Sequence, residues 1–305
     1  MKKYKFLAIV LVALVSCKNI KRNKDNELTK SEVLQDLLLS YNQKIIHAAK
    51  IKSFEVIRDL YDGESFLMAD YNSIIVNQNN IKIYYDTIFA RQNIKEYHRQ
   101  TIDILEFKNR IIEIGLFTKV FENSEKVNGK YLNVWKKDAE GKLKLRAESL
   151  GYLQPIEDPT ILIVPKAATA TNAMSNMITI PRELEAYIAL GKNNVIARIP
   201  EKTADAYTED AMYLPFADTI KTGKSVLVDH YKLYYHNPAK IDSLELMTYA
   251  YDKVENGYIK YGGFYVEWTV PGFTGSTAGN GISYWRREKD NSLRIHRQIG
   301  LHTYK

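Results

Sequence analysis

The sequence predicts an α+β fold built twice: two tandem domains, 31–152 and 181–305, each with helices at its start and a long antiparallel sheet after them. Three observations carry this. First, VWKKDAEGKLKL (134–145) returns as YWRREKDNSLRI (284–295), with Trp135 and Trp285 150 residues apart. Gly141 meets Asn291 at the turn, and both residue types tolerate the left-handed backbone needed near the end of a short hairpin loop. Second, the same spacing lays Lys82-Ile83-Tyr84-Tyr85 on Lys232-Leu233-Tyr234-Tyr235. A spacing of 148 lays IIEIGLFTKV (111–120) on IKYGGFYVEW (259–268), Gly115 on Gly263. Ordered blocks at one domain-sized spacing mark a duplication, not a solenoid. Third, residues 153–180 carry Pro155, Pro159, Pro165 and the small polar run KAATATNAMSN, which read as a linker with TILIV (160–164) as a stray strand.

Each element follows in order. Ser31–Tyr61 has apolar residues at helical spacing (Val33, Leu37, Leu38, Tyr41, Ile45, Ile46), broken near 51–53. SFLMADYNSIIV (65–76) reads as two short strands around a turn at Ala69–Ser73. NIKIYYDTIFA (80–90) reads as a helix capped by Asn79 or Asn80. Strands follow at 101–107, 110–121, 130–137 and 142–150. The second copy opens with a helix from Pro181 that bends before Pro200. Strand 211–216, helix 225–236 and strands to the C-terminus come after it. GFTGSTAGNG (272–281) reads as a flexible hairpin loop.

The formal charge is +7, but three of those charges are Lys2, Lys3 and Lys5, and residues 18–27 add a net two, leaving +2 on the folded part. That balance excludes a nucleic-acid partner, which needs a basic stripe on a folded face. Cys17 is the only cysteine, so no disulfide forms within the chain. Three lysines, the apolar run Phe6–Val15 and Ser16 precede it, the layout of a secretory signal peptide too short to span a bilayer comfortably. Leu14-Val15-Ser16-Cys17 resembles the lipobox of bacterial lipoproteins; an ordinary signal peptide with an incidental cysteine is the alternative. The resemblance implies a signal peptide over 1–16, a Cys17 carrying acyl chains such as palmitate, and a polar leash (17–30) to a membrane of the bacterial cell envelope, with the outer membrane the expected one. Each buried methylene adds ~0.8 kcal/mol, so several acyl chains hold stably.

AYTEDAMYLPFADTIKTGKSVLVDHYKLYY (206–235) is similar to the opening of SnoaL-like and ketosteroid-isomerase-like proteins of the nuclear transport factor 2-like superfamily, and GKYLNVWKKDAEGKLKL (129–145) resembles their closing hairpin. The resemblance covers nearly everything after the leash. It implies cone-shaped domains with a pocket between helices and the concave sheet face. Isomerases and cyclases of that superfamily place an Asp or His there, against a Tyr or a second acid, to move a proton beside a carbonyl.

Alternation tests the candidates. In the first copy Ile112, Ile114, Leu116 and Val120 are expected inside, with Glu113 and Lys119 outside, so the first cone should hold no acid on this strand. In the second, Lys260, Gly262, Phe264, Val266 and Trp268 share the inward face, and Phe264, Val266 and Trp268 are the expected ligand-binding residues. Tyr261, Tyr265 and Glu267 take the other face. Asp70 and Asp218, aligned as MAD and FAD, read as turn residues bonding local backbone. His230 and His236, with Tyr213, are the weak catalytic candidates, and His296 reads as solvated. Trp135 and Trp285 are expected to pack over the sheet end and donate to an exposed carbonyl. No motif for a metal, a cofactor or a phosphate loop occurs. The outward residues Tyr261, Tyr265, Phe117 and Phe121 are too apolar for solvent and predict a pseudo-two-fold pairing of the two sheets within one chain.

Three functions remain open on these residues: a lipoprotein that binds a small apolar or aromatic ligand or acts as a scaffold without catalysis; an isomerase-, cyclase- or hydratase-like enzyme with its site in the second cone; and a protein-interaction module. A buried acid or histidine facing a cavity favours the enzyme, a dry acid-free cavity favours binding, and a filled cone with exposed tyrosines favours interaction.

Overall fold

The computed structural model describes residues 30–168 and 178–304. The signal-like segment, Cys17 and nearly all of the leash lie outside the described residues, as does the run around Ala170. Everything below concerns the compact body that starts at Leu39.

The first domain comprises helix α1 (Lys30–Lys50), two 3-10 turns at Phe54–Val56 and Arg58–Leu60, β1 (Phe66–Ala69), β2 (Ile75–Val76), α2 (Gln78–Arg91), and the long strands β3 (Ile94–Glu106), β4 (Arg110–Phe121), β5 (Lys126–Lys137) and β6 (Leu143–Tyr152). The second repeats it with α3 (Arg182–Ala197), α4 (Pro200–Ala204), β7 (Tyr207–Leu214), β8 (Lys221–Thr222), α5 (Lys224–His236), β9 (Lys240–Val254), β10 (Gly257–Val270), β11 (Phe273–Arg287) and β12 (Leu293–Thr303). The sheet orders match: β2-β1-β6-β5-β4-β3 and β8-β7-β12-β11-β10-β9. The long strands pair antiparallel, while β1 on β6 and β7 on β12 are parallel.

Local chemistry explains most boundaries. Asn77 caps α2 by accepting the Asn80 N–H at 3.0 Å, one turn earlier than the expected cap. Gly141 (φ 80°) and Asn291 (φ 65°) occupy the left-handed turn positions expected of them. TILIV forms no strand: Asp158 caps a 3-10 turn at Pro159–Leu162, Leu162 and Val164 are buried, and Arg91 donates to the Ile161 and Ile163 carbonyls. Of GFTGSTAGNG only Gly272 (φ 82°) is in the turn; the rest is the first part of β11, paired with β10, and Gly275, Gly279 and Gly281 leave room for large β10 side chains or neighbouring backbone.

The repeat spacing is not uniform. Trp135 and Trp285 keep 150, but Ile111 pairs with Trp135 and Tyr258 with Trp285, so β4 and β10 correspond at 147. The helices correspond at 146, the spacing between the cap positions Asn77 and Gly223. A strand shifted by one residue turns every side chain to the other face. Glu113 and Lys119 therefore lie inside the first cone, and Ile112 and Ile114 lie outside it, the reverse of the expectation from a spacing of 148.

The two domains pair within the chain, sheet against sheet. Ile112, Ile114, Leu132 and Val134 of one sheet pack with Ile259, Tyr261, Ile282 and Tyr284 of the other. Phe117 is not in this contact; it packs inside the first cone against Tyr97 and Tyr152. Phe121 and Tyr265 also lie outside the shared apolar cluster, leaving Tyr261 as the expected residue found there. Charged groups frame the contact: Arg110 forks onto Asp252 at 2.7 and 2.8 Å, and Arg297 reaches Asp103 at 2.6 Å. The Arg146 guanidinium sits over the rings of Phe66 and Tyr261, and the buried Lys130 ammonium donates to the carbonyls of Pro215 and Asp218 in the other domain.

Candidate functional site

The cones can be compared row by row, because the cross-strand registers correspond. At the closed end the first domain places Glu113, Asn133 and Glu148 side by side, and the second places Lys260, Ser283 and Gln298. One row outward come Gly115, Tyr131 and Leu150 against Gly262, Gly281 and Gly300. Next come Phe117, Gly129 and Tyr152 against Phe264, Gly279 and His302. In this last row the phenylalanine ring lies where a Cβ on Gly129 or Gly279 would be, so the glycine is required in both copies.

In the first cone these positions are filled. Glu113 is fully buried and its carboxylate accepts from five donors: Asn42 Nδ2 (2.8 Å), Thr101 Oγ1 (2.7 Å), Tyr131 OH (3.1 Å), Asn133 Nδ2 (3.3 Å) and Trp135 Nε1 (2.9 Å). Trp135 stacks on Tyr41 (5.1 Å) and gives its N–H to this carboxylate rather than to an exposed carbonyl. Glu148 accepts the hydroxyls of Tyr61 and Tyr85. Arg99 lies over the Tyr131 ring, 3.8 Å from Glu148. Only about 30 Å³ stays open, bordered by Asp70, Tyr84, Tyr97, Lys119 and Tyr152, room for little more than a water. Asp70 does not bond its local turn. It accepts the Tyr152 N–H at 2.8 Å, and burial pushes its carboxyl up to about 7 against the pull of that N–H and of Lys130. Burial, then the charge of Arg99, brings Lys119 down to about 8.

The second cone holds a cavity of about 800 Å³. Its middle row has no side chains where the first domain has Tyr131 and Leu150, and a Cβ on Gly281 would collide with the Ile299 carbonyl. Phe264, Val266 and Trp268 line it, as expected, with Phe216, Tyr213, Tyr234 and His302. Phe216 stacks on His302 at 4.2 Å, and Phe264 meets the same ring edge-on at 5.7 Å. Trp268 is held by Phe273 and donates to Thr277 Oγ1 at 3.2 Å. Tyr207 joins Tyr231 and Gln298 as Tyr61 joins Tyr85 and Glu148.

His230 lines the cavity, edge-on to Tyr213 at 5.8 Å, with Nδ1 3.7 Å from Asp218. Burial lowers its pKa against the pull of Asp218. His236 lies exposed at the end of α5 and is not part of the wall, because six residues along a helix place it on another face. His296 is buried, not solvated, between Thr208 and Arg286. Asp218 accepts the Thr219 N–H at 2.6 Å, a local turn bond as expected. Asp70 and Asp218 are not structural equivalents: Asp70 holds the Tyr152 N–H, while Phe216 sits beside the matching His302. Sequence reasoning missed His302 and the polar closed end. A spacing of 147 instead of 148 would have shown Glu113 opposite Lys260.

No protein-family model matches this sequence, and no curated protein does. Solved structures resemble it over one domain's length. A ketosteroid isomerase-like protein from Erwinia carotovora atroseptica is 12% identical, covering 40% of this chain and 94% of that one (TM-score 0.36). A protein from Catenulispora acidiphila in complex with S-DNPA is 17% identical, covering 40% and 91% (TM-score 0.35). A nuclear transport factor 2-like protein with a cystatin-like fold from Novosphingobium aromaticivorans is 14% identical, covering 40% and 80% (TM-score 0.32).

Proposed function

We propose that this chain is a lipid-anchored protein of the bacterial envelope whose second domain binds a small apolar or aromatic molecule, while the first domain serves as its scaffold. The carrying observation is the cavity of about 800 Å³ in one copy where the other is packed. Small-molecule sites run about 300–1,000 Å³ and are mostly apolar with a few polar groups. Phe264, Val266 and Trp268 supply the apolar wall. Native mass spectrometry of the protein lacking residues 1–17, expressed in its own host, should retain a small molecule, and that molecule should quench Trp268 fluorescence. Undiminished binding by a Phe264→Ala, Trp268→Ala variant would remove this site.

The anchor rests on the lipobox-like Leu14-Val15-Ser16-Cys17 and on Cys17 being the sole cysteine. Cys17→Ser should release the protein from membranes; a mutant that stays in the membrane fraction with unchanged acylation would end the lipoprotein reading.

A proton-transfer enzyme in the same cone is the second reading, favoured by His230 standing beside Asp218 and Tyr213 on the cavity wall. Asp218 is itself engaged by Lys221 at 3.0 Å, which weakens it as a partner for His230. His230→Ala separates the readings: retained binding without lost turnover supports the binder.

A further inference from the structure

The closed ends of the two cones carry opposite charge, and only the first has an oppositely charged side chain beside it. In the first, Glu113 accepts from five donors, Glu148 accepts two tyrosine hydroxyls, and Arg99 lies 3.8 Å from Glu148. In the second, the matching row is Lys260, Ser283 and Gln298, and the site of Arg99 is taken by Leu246, since Arg99 pairs with Phe117 and Leu246 with Phe264.

Every member of that row has a donor to offer. Lys260 lies over Gly262 and makes one hydrogen bond, to the Met247 carbonyl at 3.1 Å. Among the described residues no carboxylate lies within ion-pair distance of it, and burial alone lowers its pKa, to about 8, so at neutral pH it remains largely an ammonium. Ser283 Oγ accepts the Trp285 N–H at 2.9 Å, which leaves its own proton to donate. Gln298 accepts from Tyr207 at 2.6 Å, which leaves its amide N–H groups. The acid on the cavity wall, Asp218, is held by Lys221 and by backbone. Outward from this row the wall is glycine, then aromatic. Lys260 is half-buried, and an enclosed cation without a counter-charge costs free energy that a bound anion recovers.

We infer that the ligand of the second cone is an aryl or alkyl carboxylate, its carboxylate seated on Lys260 and Ser283 and its apolar body against Phe264 and Trp268. The inference rests on the ligand-binding reading above and narrows it to one chemical class. The other cation on the wall, Arg198, already donates to the Tyr235 and Asn237 carbonyls, so a monoanion matches the Lys260 ammonium, and two carboxylate oxygens match donors on adjacent strands.

The test is titration of the purified full chain with two probes of one shape, 2-naphthoate and the neutral 2-naphthamide, followed by calorimetry. The expected result is naphthoate binding tighter by about tenfold or more, the size of a charge-assisted hydrogen bond. Lys260→Met should erase that preference, with an unchanged urea-denaturation midpoint reporting an intact fold, and Lys260→Arg should keep it. Equal affinities in the wild-type protein, or a preference that survives Lys260→Met, would overturn the carboxylate assignment and leave the ligand-binding reading standing. Binding of neither probe, together with no retained molecule in native mass spectrometry, would overturn both.

Discussion

At equivalent registers the first cone sets Glu113, Asn133 and Glu148 above Gly115, Tyr131 and Leu150, and the second sets Lys260, Ser283 and Gln298 above three glycines. The frame is shared down to the strand order and the Phe–Gly contact in the next row. What differs is side-chain volume and charge at a few positions. Tyr131 and Leu150 turn one concave face into a packed core, while Gly281 and Gly300 leave the other as a cavity. One copy is packed around its buried acids, and its twin keeps a cavity of about 800 Å³.

The sharpest way to break this comparison is to remove the charge from each row. Glu113→Ala should destabilise by about 3–5 kcal/mol, since it strands the Trp135, Asn42, Thr101, Tyr131 and Asn133 donors. Lys260→Met should change stability by less than about 1 kcal/mol, since it removes a half-buried cation that has no ion-pair partner among the described residues. Urea denaturation of both variants checks this, and similar losses in both would mean that Lys260 is as structural as Glu113.

Emptying the first cone comes next. Tyr131→Ala should cost about 3 kcal/mol, from lost burial and the cavity left behind, and should let a small aromatic probe into that domain. Loss of stability without probe entry would show that the cone collapses.

The two cones should also respond to pH with opposite signs. Asp70 titrates near 7 when folded against 3.8 in the reference state, so the folded chain holds the extra proton. Its stabilising contribution is complete below about pH 4 and is lost as pH rises to 7. His302 titrates near 4 against 6.5, so its contribution is complete above 6.5 and is lost as pH falls to 4. Asp70→Asn should therefore gain on the wild-type protein as pH rises from 4 to 7, and His302→Gln should gain as pH falls from 6.5 to 4. Denaturation series at pH 4.5, 6 and 7.5 read both slopes.

The smallest effect is expected at Gly300. A Cβ there would sit 3.2 Å from the Tyr213 hydroxyl, which has the cavity to move into. Gly300→Ala should leave stability within about 1 kcal/mol and weaken ligand binding severalfold by narrowing the middle row. Tighter binding would mean that the ligand does not reach that row.

Much of the architecture was legible in the residues. The closing hairpins, with Gly141 and Asn291 at left-handed positions, could be aligned because turn chemistry is local. The aromatic wall of Phe264, Val266 and Trp268 followed from the two-residue period of one strand and needed no alignment. The first cone was misread because the apolar face of Ile112 and Ile114 was taken as the inward one, whereas it packs against the second sheet. Adjacent Gly262 and Gly263 make spacings of 147 and 148 equally good matches for Gly115, and an error of one residue inverts the strand. The correct choice depends on Ile111 lying opposite Trp135, and Tyr258 opposite Trp285, across a sheet.

By itself, then, the sequence determined that there are two α+β copies, where their closing hairpins turn, and that the second has an aromatic inward face. These are properties of backbone period and turn geometry, which act over a few residues. Only the tertiary structure decided that Glu113 is enclosed by donors while Lys260 has no counter-charge among the described residues, that His230 reaches the cavity wall and His236 does not, and that Ile112 packs in the cluster with Tyr261. Volume, pairing and charge balance are set by residues tens to hundreds of positions apart, and no local period encodes which of them will meet.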